Sequence, residues 1–130
     1  MENLSGESFN VEQKLLDFAV SIAKEAGELT LSLFKDLNLE IIKKSDGSPV
    51  TEADKGAERL LRERISASFP EDSIIGEEEE NLFGSSGRTW ILDPIDGTQS
   101  FINGVPLFAN LVAFEDEHGS AVGVINLPGI

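Results

Sequence analysis

Apolar residues recur at steps of four and three between Val11 and Leu33: Val11, Leu15, Phe18, Ile22, Ala26, Leu29 and Leu33. This spacing predicts one long amphipathic helix whose stripe is core. Asn10, followed three residues later by Gln13, reads as a capping box that starts it. Residues 1–9 are then a disordered polar tail and 10–130 one domain. Leu39–Ile42 predicts a short strand, and the DGSP group ending at Pro49 a flexible loop. A second helical rhythm (Ala53, Ala57, Leu60, Leu61, Arg64, Ile65, Ser68) runs until Pro70 stops it, with Thr51 as N-cap. Ser73–Ile75 predicts a strand that enters Gly76 and the acidic run Glu77 to Glu80, after which NLFGSSG reads as a mobile connector. Leu107–Phe114 and Ala121–Ile125, either side of the turn at Asp116–Gly119, predict a hairpin.

Between these lies WILDPIDGTQSF, Trp90 to Phe101. Trp90, Ile91 and Leu92 predict a buried strand that breaks at Asp93 and Pro94 into a turn closed by Asp96 and Gly97. Two carboxylates therefore sit at a strand end, and a helix following them would aim its unpaired N–H groups at an anion. The acidic run from Glu77 also starts at a strand end, and two strands paired in one sheet can bring such ends together. Asp54 falls at the third position of the second helix, where a free N–H and the helix dipole favour an acid. Capping alone accounts for it at this level.

Composition narrows the chemistry. The formal net charge is −14, from 24 acidic and 10 basic side chains among 130 residues. Counterion release from a phosphate backbone cannot drive binding with that balance, which excludes nucleic acid as a partner. Cysteine is absent and His118 is the one histidine, so thiolate nucleophiles, Cys/His zinc sites and disulfides are excluded together. His118 lies in EDEHG between two apolar runs and reads as a solvated turn residue. A reducing, cytoplasmic compartment fits. The polar start MENLSGESFN does not read as a secretory signal, and no run reaches membrane-spanning length.

Three readings of the central turn compete. An EF-hand calcium loop with Gly97 at its sixth position would begin at Leu92, which offers no side-chain oxygen. A haloacid-dehalogenase-type phosphatase needs an aspartate nucleophile two residues before Asp96, where this chain has Pro94. What remains is an aspartate pair spaced DPxD with the Ile95 carbonyl between them, a set of hard oxygens suited to Mg²⁺ or Mn²⁺.

Three blocks in order, SPVTEAD (Ser48–Asp54), IIGEE (Ile74–Glu78) and WILDPIDGTQSF, resemble the inositol monophosphatase-like, magnesium-dependent, lithium-sensitive phosphatases. The continuation SFINGVPLFANLVAF, with Gln99 and Ser100, is more similar to the histidinol-phosphate phosphatase branch than to the inositol branch. The resemblance implies an α+β fold, two helices packed on an antiparallel sheet, as the N-terminal part of a layered α/β/α/β/α sugar-phosphatase fold. It further implies metal binding by Glu77, Asp93, Asp96 and the Ile95 carbonyl. Asp54 and Thr98 would activate a water, Glu77 assisting, and Glu77, Asp96, Gly97 and Thr98 would receive the substrate phosphate. Lys44 would act electrostatically behind them.

The implied activity is hydrolysis of a small phosphate monoester, histidinol phosphate before inositol monophosphate, with Mg²⁺ or else Mn²⁺, in a protein that is a homodimer when complete. Metal-activated water needs no protein nucleophile, which agrees with a chain lacking cysteine. Family members run on into a region that brings another metal-binding aspartate in a WDxAA-type motif, so the domain is expected to be incomplete and inactive alone. A non-catalytic metal-binding or assembly module is the alternative.

Overall fold

The computed structural model describes the backbone of residues 6–130 and the side chains of residues 13–130. The first helix, α1 (Gly6–Leu33), ends where the periodicity ends but starts before Asn10, which lies inside it. Neither proline nor glycine interrupts Glu7–Asn10, so the helix runs through the expected cap. From Leu15 on, its stripe is core as the spacing requires: Ile22 and Ala26 are fully buried and Phe18 and Leu29 pack beside them. A two-stranded antiparallel ribbon follows, β1 (Ile41–Lys43) against β2 (Pro49–Thr51). The second of these strands was not foreseen; it occupies the residues leading into the cap of the next helix.

That helix, α2 (Glu52–Ser68), starts at Thr51 with a reciprocal capping box. Thr51 Oγ1 accepts from Ala53 and Asp54 N–H, while Asp54 Oδ1 accepts from Thr51 N–H at 2.8 Å. Its buried face is Ala53, Asp54, Ala57, Glu58, Leu61 and Ile65, with Arg64 and Ser68 on the solvent side.

The main sheet has the order β3-β4-β5-β6, from β3 (Ser73–Ile75), β4 (Thr89–Asp96), β5 (Ala109–Asp116) and β6 (Gly119–Asn126). It is mixed rather than wholly antiparallel, because β3 and β4 run parallel. The expected hairpin is β5–β6. Pro94 does not end its strand: β4 continues to Asp96 through a bulge. A third helix, α3 (Thr98–Ile102), follows Gly97 at once. The connector at 81–87 is tied down. Leu82 bridges to Ile74, Gly84 N–H donates to Ser73, and Ser85 and Ser86 bond to Glu71 and Asp72. His118 is exposed in the β5–β6 turn, as its context predicts.

Both long helices cover one face of this sheet, α2 over β4 and α1 over β5 and β6. Trp90 fills the centre with Phe18, Phe69 and Phe114 around it, and its indole N–H donates to the buried Asp72 carboxylate at 3.0 Å. A second cluster of Ala53, Ile95, Phe101 and Phe108, with Phe34 and Leu33 alongside, anchors α3 and the end of β4. Val122 and Val124 pack toward the helices. Their cross-strand partners are Phe114 and Val112, whereas the open face carries Leu111, Ala113 and Ile125. No helix among the described residues is long and apolar enough to cross a membrane.

Candidate active site

Two strand ends build the site, and the parallel pairing explains why they meet. Ile75 pairs with Ile91 in parallel, so Glu77, two residues beyond that pair, comes level with Asp93 near the end of β4 at the same end of the sheet. An antiparallel pair would have sent them to opposite ends.

The acidic turn after β3 is held from beneath by Glu58, a residue the sequence reading passed over. Its carboxylate is fully buried and accepts the N–H groups of Glu77 (2.8 Å), Glu78 (2.9 Å) and Glu79 (3.0 Å), with Arg62 Nε donating at 2.9 Å. Gly76 leaves room for this arrangement, since a Cβ at that position would stand 2.5–2.7 Å from the Glu58 carboxylate and displace it. The available signal was positional: Glu58 is four residues after Asp54 and three before Leu61, on the buried stripe, where an unpaired acid is too costly to keep.

The second strand end depends on the bulge. Asp93 pairs with Leu111 and Asp96 with Ala109, so Pro94 and Ile95 together face the single residue Asn110. Residues three apart on a regular strand point to opposite faces. The extra residue reverses that parity, and Asp93 and Asp96 line one cleft. Pro94 is tolerated because a bulge does not require its missing N–H. Gly97 then turns the chain at φ +91°, in the left-handed region, with a prospective Cβ 3.0 Å from the Leu107 carbonyl oxygen. Both facts favour glycine there.

Asp54 does two jobs at once. Its Oδ1 caps α2, receiving the Thr51 N–H and the Thr51 hydroxyl (2.6 Å), while its Oδ2 receives the Thr98 hydroxyl at 3.0 Å. Cap and site contact are therefore not alternatives. The Thr98 hydroxyl also lies 3.1 Å from the Ile95 carbonyl oxygen, so its single hydrogen is shared between two acceptors.

The resulting cleft, about 300 Å³, is lined by Lys44, Ser48, Pro49, Glu77, Glu78, Asp93, Ile95, Asp96, Gly97, Thr98 and Gln99. A larger hollow of about 660 Å³ lies beyond α3, between Lys35–Ile41 and Phe101–Gly104, but among the described residues Lys35 and Asp36 are the only titratable ones lining it. Volume does not select the site; chemistry does.

Burial, then the negative charges of Glu77, Asp96, Asp54 and Glu78, push the Asp93 carboxyl up to about 6. Lys44 also lines the cleft, and it is committed to Glu78 at 3.0 Å. Partial burial works against the Lys44 charge, yet Glu78, Glu77 and Asp54 outweigh it and raise its pKa. Glu78 also moves up: burial raises it, Lys44 pulls it down, and Asp54 and Glu58 add to the rise. The pair thus holds Lys44 charged more firmly than Glu78.

Glu77, Asp93 and Asp96 share the cleft without closing into a cage. Among the described residues, no three His, Cys, Asp or Glu side chains are gathered tightly enough to hold a metal ion. Carboxylates facing one another repel, and splaying within the cleft lowers that cost. The donor set nonetheless fits a hard divalent cation: it is all oxygen, and its excess negative charge is what such an ion would relieve.

The family model described as the inositol monophosphatase family matches residues 11–130, and the chain belongs to that family. A histidinol-phosphatase of Chlorobaculum parvum is 49% identical over 115 residues, covering 88% of this chain and 44% of that protein. Another, from Mycobacterium tuberculosis, is 40% identical over 115 residues with the same coverage. Among solved structures, extragenic suppressor protein suhB from Bartonella henselae matches with a TM-score of 0.85 and 30% identity, over 89% of this chain and 46% of that one. The chain spans less than half the length of the curated relatives it matches.

Proposed function

We propose that the whole protein is a Mg²⁺-dependent hydrolase of small phosphate monoesters, with histidinol phosphate as preferred substrate and inositol monophosphate second. The observation that carries this reading is the hydrogen bond from Thr98 to Asp54 Oδ2 at the rim of a carboxylate-lined cleft. It couples a hydroxyl facing the cleft to a buried base.

A water standing at Thr98 would give its proton to Oγ1 as the Thr98 hydroxyl passes its own to Asp54 Oδ2. Charge and proton count are conserved, and the oxygen left behind is the nucleophile. Capping bonds to Asp54 Oδ1 hold the carboxylate in one orientation for that transfer. Glu77, Asp93, Asp96 and the Ile95 carbonyl would hold the cation, Mg²⁺ or alternatively Mn²⁺. When bound, the ion lowers the pKa of water and offsets the charge of the phosphate and leaving oxygen. Gly97 and Thr98 supply N–H groups at the start of α3 for the phosphate, and Lys44 keeps the Glu77–Glu78 turn in place through its contacts with the Glu77 carbonyl and the Glu78 side chain.

The substrate preference rests on the histidinol-phosphatase relatives and on the Ser100–Phe114 block. A homodimer in the cytoplasm completes the proposal. Steady-state assays of the whole protein on both esters, with Mg²⁺ and with chelator, test it. Absence of turnover on either ester in saturating Mg²⁺ would overturn it. The second reading is a non-catalytic metal-binding or assembly module built on the same carboxylate-lined cleft. Mg²⁺ binding without turnover is the result that reading expects.

A further inference from the structure

A chain of side-chain amides runs beneath the β4 bulge and ends on it. Asn126 Nδ2 donates to the Ala23 carbonyl of α1 at 3.2 Å and to Asn110 Oδ1 at 2.9 Å. Asn110 Nδ2 donates to the Pro94 carbonyl at 2.8 Å and approaches Thr30 Oγ1 at 3.4 Å, and Thr30 in turn donates to the Gly27 carbonyl. Asn110 and Thr30 are fully buried. The direction of the chain follows from its ends. Pro94 and Ala23 present carbonyls, which only accept, so both amides must turn their NH₂ groups toward them, and the Asn110 oxygen is left facing Asn126.

We infer that Asn110 is a positioning residue for the Asp93/Asp96 pair, holding the Pro94 carbonyl and so fixing the bulge that turns both carboxylates into one cleft. This rests on the reading of that pair as a cation site. At the bulge Asn110 alone faces Pro94 and Ile95, and its buried side chain donates to the Pro94 carbonyl from the facing strand. Without it the extra residue can relax along β4, and a slip of one position would return Asp96 to the face opposite Asp93. Room for the device is reserved on α1: a Cβ at Gly27 would collide with Asn126 Nδ2 and stand 3.1 Å from Asn110 Oδ1. A glycine inside a helix destabilises it, and here its absence of a side chain admits the amide pair.

The test compares Asn110→Val, which keeps bulk and removes the donor, with Val112→Ala, a core truncation on the same strand that does not touch the bulge. Amide hydrogen exchange in chelator reads the pinning without any metal. Exchange at Ile95, Asp96 and Gly97 should accelerate at least tenfold more in Asn110→Val than in Val112→Ala, after correction for their global stabilities. Mg²⁺ affinity, read by calorimetric titration, should fall about 10–100-fold in Asn110→Val, the usual span for a residue that orients ligands, and stay unchanged in Val112→Ala. If Asn110→Val does not fold, Asn126→Ala, at a partly buried site, should give the same pattern in smaller measure. Equal exchange in variant and control would overturn the inference, as would faster exchange with unaltered Mg²⁺ affinity. Faster exchange in a protein whose unsubstituted form binds no Mg²⁺ would uphold the pinning and overturn the cation reading.

Discussion

Two carboxylates withdrawn from water, Glu58 and Asp93, meet opposite surroundings. Glu58 is fully buried and satisfied by three main-chain N–H groups and one arginine. Asp93 is half-buried at the adjoining strand end and meets four like charges, which with its burial raise its pKa to about 6. Distance cannot explain the contrast, since the turn that Glu58 holds carries Glu77, one of the charges acting on Asp93. The difference lies in what each carboxylate is given. A buried acid supplied with donors fixes the backbone; one denied donors and crowded by acids is destabilising unless a cation joins it. Asp54 combines the two conditions, with one oxygen capping a helix and the other receiving Thr98.

The combined role of Asp54 gives the largest expected effect. Asp54→Asn in the whole protein should cut turnover by about two to four orders of magnitude and also lower stability by about 1 kcal/mol through the weakened cap. Stopped assays and a thermal melt on one preparation read both. Near-normal turnover beside a lowered melting temperature would place Asp54 with Glu58, as a structural acid only.

Glu58→Leu sharpens the other side of the comparison. It strands three N–H groups and Arg62, and losing one partner of a buried charge pair costs about 3–5 kcal/mol. Urea denaturation should register that loss, with Mg²⁺ affinity falling as the Glu77 turn loosens. A loss below about 1 kcal/mol, the worth of one ordinary hydrogen bond, would mean that the turn finds water instead and that Glu58 does not anchor it.

Thr51→Ala isolates the cap. It removes the hydroxyl that accepts from Ala53 and Asp54 N–H and donates to Asp54 Oδ1, but leaves Asp54 Oδ1 with the Thr51 N–H and Oδ2 with Thr98. Stability should fall by about 0.5–2 kcal/mol while turnover changes less than threefold. A fall in turnover matching that of Asp54→Asn would show that orientation by the cap, more than the carboxylate itself, sets the rate.

What could be read before the structure follows the reach of each signal. Helix periodicity and the Thr51 cap are local, and both appear where expected. The meeting of Glu77 with Asp93 was anticipated from strand ends alone, and it holds because β3 and β4 are parallel, which three residues of β3 could not announce. Proline misled at position 94: it reads as a break, yet the bulge accommodates it and β4 runs on to Asp96. The core face of β6 could not be read locally: Val122 and Val124 face the helices and Ile125 the open side, because register is set by the partner strand. Glu58 and Asn110 escaped notice for one reason. Their main-chain partners lie 16 to 21 residues away, and main-chain groups leave no mark in the sequence.

The smallest expected effect has an unusual sign. Asp93 has a folded pKa of about 6 against 3.8 for the free side chain. Between those values the folded state keeps a proton that the unfolded state has released, so stability falls as pH rises through the window and remains lower above it. Asp93→Asn cannot lose that proton. In chelator the variant should be at least as stable as the parent at neutral pH, and the parent-minus-variant difference should fall between about pH 4 and about pH 6. Saturating Mg²⁺ should reverse the ranking: at one hundred times its dissociation constant the ion stabilises the parent by about 2.7 kcal/mol, and the variant, lacking the ligand, gains far less. Melts at two pH values, with and without Mg²⁺, give all the comparisons. A variant that is less stable than the parent in chelator at neutral pH would show that Asp93, like Glu58, is supplied with donors, and the contrast between the two acids would be gone.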